Sequence, residues 1–197
     1  HALWAGIADE KNARQSADRL MKPDMFNGWG IRTLSSIEKR YNPVGYHLGS
    51  VWPHDNSIIS SGFRKYGYEK EAMQICNGMF RAAMFFEDYR LSELFSGFSR
   101  EDFGVPVHYP VACRPQAWAS GSLLYMMSDL LGLTPKGFER KLLIVRPSLP
   151  DFVESVEVNR LRIADAKVDL KYVRNPQGRP SVDVMNVEGK LDIIIQP

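Results

Sequence analysis

The chain has 197 residues, 44% of them hydrophobic, which is enough for one substantial core or a core with an appendage. Lys and Arg number 25 against 23 Asp and Glu, a formal net charge of +2 without any basic block, so there is no electrostatic footprint for nucleic acid. No run of eighteen apolar residues is present to span a bilayer, so no membrane partner is expected.

In chain order, Leu3, Ile7, Ala13, Ala17, Leu20 and Met21 form a loose helical stripe over residues 2–21, closed by Pro23. The start has neither an initiator Met nor the basic, apolar, small-residue order of a signal peptide. It reads as the middle of a helix, and the expectation is a piece of something longer. Residues 22–54 then form a long connection rich in Gly, Pro, Trp, Tyr and His. A loop of that length in a compact domain usually has a function. Asp55 is placed to cap the next helix, whose apolar face is Ile58, Ile59, Phe63 and Tyr66 and which stops at Gly67. Another helix is predicted over 68–86, with Ala72, Ile75, Cys76, Met79, Phe80 and Ala83 at helical spacing. A second long loop, 88–114, leads to a helix from Pro115 to Leu131 that Gly132 ends.

Beyond Pro135 the period becomes alternating. Strands are expected at Leu142–Arg146, Val153–Asn159, Leu161–Val173, Ser181–Val187 and Lys190–Gln196, with turns at Asn175, Pro176 and Gly178 and at Glu188–Gly189. Cys76 and Cys113 lack any ligand spacing and read as reduced thiols of a cytoplasmic protein. Short and long connections alternate between the helices, which suits helical hairpins whose long loops gather at one end.

Three stretches could carry chemistry. Residues 46–56 concentrate Tyr46, His47, Trp52, His54 and Asp55, and rings beside hydrogen-bonding groups suit a sugar. The plainer alternative is that Trp52 is core and Asp55 only a helix cap. A metal site built from His47, His54 and Asp55 has no recognised ligand spacing, so neither metal nor cofactor is expected. In residues 87–98 Glu93 is flanked by Leu91, Leu94 and Phe95, an apolar surround that can tune a carboxyl for acid–base work; Glu87 and Asp88 compete from a helix end. Residues 108–121 add Tyr109, Gln116 and Trp118, with ordinary core packing as the alternative for the indole.

Four blocks in this order, MFNGWGIRTLSS (25–36), YNPVGYHLGSVWPHDNSIISSG (41–62), LSELFSGF (91–98) and YPVACRPQAWASG (109–121), resemble the C-terminal half of the bacterial amylo-α-1,6-glucosidase, or glycogen-debranching glucosidase, family of six-hairpin glycosidases. The resemblance covers residues 1–135 and, more loosely, the β tail. It implies a mainly α fold: part of an (α/α)6 toroid over 1–135, followed by a small antiparallel β region over 136–197 packed on the barrel. It also implies an inverting hydrolase of α-glucosidic bonds, with one acid protonating the leaving oxygen and one base activating water. Glu93 matches the base. Ser92 stands where many relatives carry Pro. The resemblance further implies that Trp52, His54 and Asp55 contact the sugar, and that Trp29, Arg32, Gln116 and Trp118 line the same funnel. The acid, an aspartate of the earlier half, has no counterpart in this chain, so the chain alone is expected to turn over little or nothing. An exposed ring face would favour self-association or pairing with a missing N-terminal half. The alternatives are the same fold acting on another small glycoside, mannosylglycerate-like or trehalose-like, and a non-catalytic carbohydrate-binding or structural module.

Overall fold

A computed structural model describes residues 1–176 and 180–196, so the expected turn residue Gly178 lies outside the described residues. The chain divides into two compact units, His1–Met126 and Met127–Pro197.

The first unit holds α1 (Ala2–Ala5), α2 (Glu10–Leu20), α3 (Pro53–Lys65), α4 (Glu69–Ala83), α5 (Arg100–Phe103) and the start of α6 (Ala117–Leu130). The stripe over 2–21 is two helices rather than one. Gly6 adopts φ +75° and closes α1, and α2 restarts where the Asp9 carboxylate accepts the Asn12 N–H at 2.8 Å. Asp55 does not cap α3. The extended Trp52 precedes Pro53 at the first helical position, where a missing N–H costs nothing. Across Gly67, at φ +80°, the chain turns back and α4 packs on α3, burying Phe63, Ala72, Ile75, Cys76 and Met79.

Residues 22–52 have little regular structure but are closely tied down. Asn56 of α3 accepts the Ile31 N–H at 2.7 Å, and its amide donates to the carbonyls of Ile31 and Trp52 at 3.1 and 3.0 Å. A Cβ on Gly78 would lie 2.3 Å from the Trp29 carbonyl oxygen, so α4 touches this segment backbone to backbone. Buried hydrogen bonds replace the missing helical ladder.

The second unit contains β1 (Leu133–Lys136), β2 (Lys141–Val145), β3 (Ser155–Ile163), β4 (Ala166–Val173), β5 (Ser181–Glu188) and β6 (Asp192–Gln196). One sheet has the order β1-β2-β6 and the other β3-β4-β5. Alternation buries Leu142 and Ile144 of β2 with Val168, Leu170 and Tyr172 of β4 in one cluster that includes Leu131, Leu149 and Ile163. The expected strand Leu161–Val173 breaks into a hairpin at Ala164, which sits at φ +54°. Pro135 lies in β1, at a sheet edge, where its lack of an N–H is tolerated.

These observations correct the expected fold class. The architecture is mixed α and β, not mainly α, and the helices do not form a six-hairpin toroid. Two of the six helices among the described residues are four residues long, too short to wall a ring, and hydrogen-bonded loops occupy much of the first unit. Nor is the β region wholly antiparallel: β2 pairs with β6 in parallel, because the β3–β5 meander is inserted between them and returns the chain in the same direction.

Candidate active site

Three loops of the first unit are stitched into a miniature ladder. Val51 and Phe95 exchange backbone hydrogen bonds at 2.9 and 3.0 Å, and Phe95 is bridged in turn to His108. Beyond them Ser96 N donates to Val107 O at 2.8 Å, Gly97 N to Pro43 O at 2.8 Å and Glu93 N to Cys113 O at 3.1 Å. The ladder sets Glu93 of LSELFSGF between residues 43–52 and 107–113.

Glu93 is only 8% exposed. Its Oε1 accepts the Tyr46 hydroxyl at 2.5 Å, and its Oε2 accepts the Cys113 backbone N–H at 3.2 Å. The Tyr46 phenol does most to hold the carboxyl below the usual glutamate range; burial pushes the other way, and the Cys113 contacts and the nearby His54 reinforce the lowering. The same bond pushes the Tyr46 phenol up to about 12, so Tyr46 keeps its proton and remains a donor.

A cavity of about 310 Å³ is lined by Tyr46, His47, Trp52, His54, Asp55, Glu93 and Trp118. Its rings are ordered in two stacks. His47 lies parallel to Trp52, with centroids 5.3 Å apart and planes at 11°, and His54 lies parallel to Trp118 at 4.4 Å and 19°. Tyr46 meets Trp52 edge-on at 4.8 Å, as does His54 at 5.7 Å. Asp55 Oδ1 lies 3.6 Å from His54 Nε2 and 3.4 Å from His1 Nε2. Trp52, 6% exposed, donates its Nε1–H to Tyr46 O at 3.1 Å and Ser50 Oγ at 3.0 Å, whereas Trp118 is 56% exposed and offers an open face.

Of the residues the sequence singles out, Glu93, Trp52, His54, Asp55 and Trp118 therefore share one cavity, while Trp29, Arg32 and Gln116 do not line it. Trp29 is buried edge-on to Phe85 with the Arg100 guanidinium over its ring. Arg32 is buried and donates to Gly97 O at 2.7 Å and Pro23 O at 2.9 Å. Gln116 Oε1 accepts the Ala119 N–H at 3.1 Å at the start of α6. Those hydrogen bonds are all to backbone. Tyr46 is the residue whose part the sequence reading missed: it counts among the rings of its loop, but its bond to Glu93 spans 47 positions and leaves no local signal. Glu87 and Asp88, the competing carboxylates, are exposed and border a separate small cavity with Arg90 and Arg114. Both cysteines are free, Cys76 buried and Cys113 exposed. Among the described residues no group of three or more His, Cys, Asp and Glu could hold a metal ion, and no helix is long and apolar enough to cross a membrane.

Residues 1–98 match the family model of the mannosylglycerate hydrolase MGH1-like glycoside hydrolase domain. A mannosylglycerate hydrolase from Rubrobacter radiotolerans is 31% identical over 84 residues, which cover 41% of this chain and 19% of that protein. A crystal structure of an uncharacterized conserved protein from Thermus thermophilus aligns with a TM-score of 0.48 at 19% identity, covering 62% of this chain and 28% of that one. The chain thus spans less than a third of the length of either protein. Over residues 1–98 the chain resembles a glycoside hydrolase domain. The match is to the MGH1-like type and not to the amylo-α-1,6-glucosidases that the four sequence blocks suggest.

Proposed function

With a glycoside hydrolase resemblance as the starting point, we propose that Glu93 is the general base of an inverting hydrolysis and that Tyr46, Trp52, His54 and Trp118 wall the sugar site. One observation carries the reading: a buried carboxylate, held ionised by a phenol that donates to it and keeps its own proton, borders a ring-lined cavity. An inverting base must be ionised when water arrives and must accept a proton as the water oxygen bonds to the anomeric carbon. The stacked rings offer apolar faces to the C–H side of a pyranose, and Asp55 and His54 offer partners for its hydroxyls. The role of general acid falls to a carboxyl group from elsewhere in the functional protein, as the sequence resemblance implies.

For the substrate, the favoured class is a sugar joined to a small polar aglycone, of the mannosylglycerate kind, rather than a branched glucan. The name of the Rubrobacter radiotolerans relative supports this.

Glycosyl fluorides test the base without the acid, because fluoride departs without being protonated. The chain should release fluoride from α-D-mannosyl or α-D-glucosyl fluoride faster than buffer does and give the β-anomer first. Glu93→Gln should reduce that release by about 10²–10⁴-fold. Release at the buffer rate, an α-anomeric first product, or undiminished turnover in the variant would each sink the assignment.

A further inference from the structure

We infer that Tyr46 is the positioning residue of this site: its hydroxyl occupies Oε1 of Glu93 and leaves Oε2 as the oxygen that takes the proton from water. The inference rests on the reading of Glu93 as base and adds which of its two oxygens does the work.

The two oxygens are held unequally. Oε1 accepts a phenol at 2.5 Å, a short bond to a strong donor, while Oε2 accepts the Cys113 backbone amide at 3.2 Å and the Cys113 thiol lies beside the carboxylate. Protonating Oε1 would disrupt the stronger bond, whereas protonating Oε2 leaves the phenol in place, so Oε2 is the oxygen available to take a proton. Tyr46 is itself fixed. Its carbonyl accepts Ser50 Oγ–H at 2.6 Å and Trp52 Nε1–H at 3.1 Å, and its ring lies edge-on to both Trp52 and His47. Trp52, with little exposed face, contributes mainly by holding Tyr46, and the open Trp118 is left as the sugar platform. In the reaction the water oxygen bonds to the anomeric carbon and one water proton moves to Oε2. The electron pair of the broken glycosidic bond leaves with the departing group, which an acid protonates when it is an alkoxide. Tyr46 keeps its proton throughout, and its bond to Oε1 persists when Glu93 becomes neutral, because the carbonyl oxygen of the acid still accepts.

The groups facing the carboxylate are Tyr46, the amide and thiol of Cys113, and His54. The chain labelled with ¹³C at glutamate Cδ allows Glu93 to be titrated directly, its resonance identified by its loss in Glu93→Gln. Tyr46→Phe keeps the ring and removes only the hydroxyl, and it should move the Glu93 midpoint to higher pH. The acid limb of glycosyl fluoride release should move the same way. Tyr41→Phe removes a comparable hydroxyl, which donates to Gly97 O at 3.2 Å, and should leave the midpoint unchanged. An unchanged midpoint in Tyr46→Phe, or an equal shift in Tyr41→Phe, overturns the positioning role whatever the turnover. Full turnover in Glu93→Gln overturns the base reading whatever the titration.

Discussion

Gly97 and Gly49 meet backbone to backbone: a Cβ on Gly97 would stand 1.8 Å from the Gly49 carbonyl oxygen. Gly49 is at φ +145°, a conformation that side chains disfavour, and a Cβ there would meet the Tyr41 ring at 2.5 Å. The pair presses the loop carrying Tyr46 and Trp52 against the strand-like segment carrying Glu93.

Gly97→Ala should therefore force the two loops apart. The expected cost is at least the ~1–3 kcal/mol of an overpacked core, read as a lower urea midpoint, together with a Glu93 titration drifting toward the ordinary glutamate value. A variant as stable as wild type with an unchanged Glu93 midpoint would show that the contact does not set the site.

Trp118 and Trp29 should respond oppositely to truncation. Trp118→Ala removes a half-exposed ring whose partner is His54, so stability should change by less than about 0.5 kcal/mol. Affinity for a methyl glycoside, measured by calorimetry, should fall by about two- to tenfold, the worth of one ring contact. Trp29→Ala removes a fully buried ring and should cost about 3–5 kcal/mol of stability. Equal effects of the two variants on stability would contradict this division of labour.

The lowered pKa of Glu93 has a definite sign in the stability curve. A carboxyl depressed by folding contributes stability that is fully present above its unfolded value, ordinarily 4.5, and is lost as pH falls through the folded value. Urea midpoints of wild type and Glu93→Gln should thus differ by a constant amount near neutrality. That difference should shift against wild type as pH drops below 4.5, because the unfolded chain takes up the proton first. A flat difference from about pH 6 to about pH 3 would mean that the phenol does not stabilise the anion.

In the second unit, the Tyr172 hydroxyl is buried in the core without a hydrogen-bond partner among the described residues, and burial pushes its phenol up. Tyr172→Phe deletes only that oxygen. It should leave the fold intact and raise stability, up to the ~1–3 kcal/mol that an unsatisfied buried hydroxyl costs. A marked loss of thermal stability would show that the hydroxyl is engaged.

Periodicity and residue chemistry were legible along the chain. The spacing of Ala72, Ile75, Cys76 and Met79 marks α4, the alternation of Val168, Leu170 and Tyr172 marks β4, the composition of 46–56 suits a sugar, and the ordered blocks resemble a glycoside hydrolase. These features are carried by neighbours in sequence, because one helical turn or one strand pleat spans only a few residues. The number and arrangement of helices, the parallel return of β6 beside β2, and the partners of Arg32 and Gln116 were decided by tertiary structure. So was the meeting of Tyr46 with Glu93. Each of these except the Gln116 contact joins groups well apart in the chain. Which donor reaches which acceptor then depends on how the backbone satisfies its own buried polar groups, a constraint that no local pattern encodes.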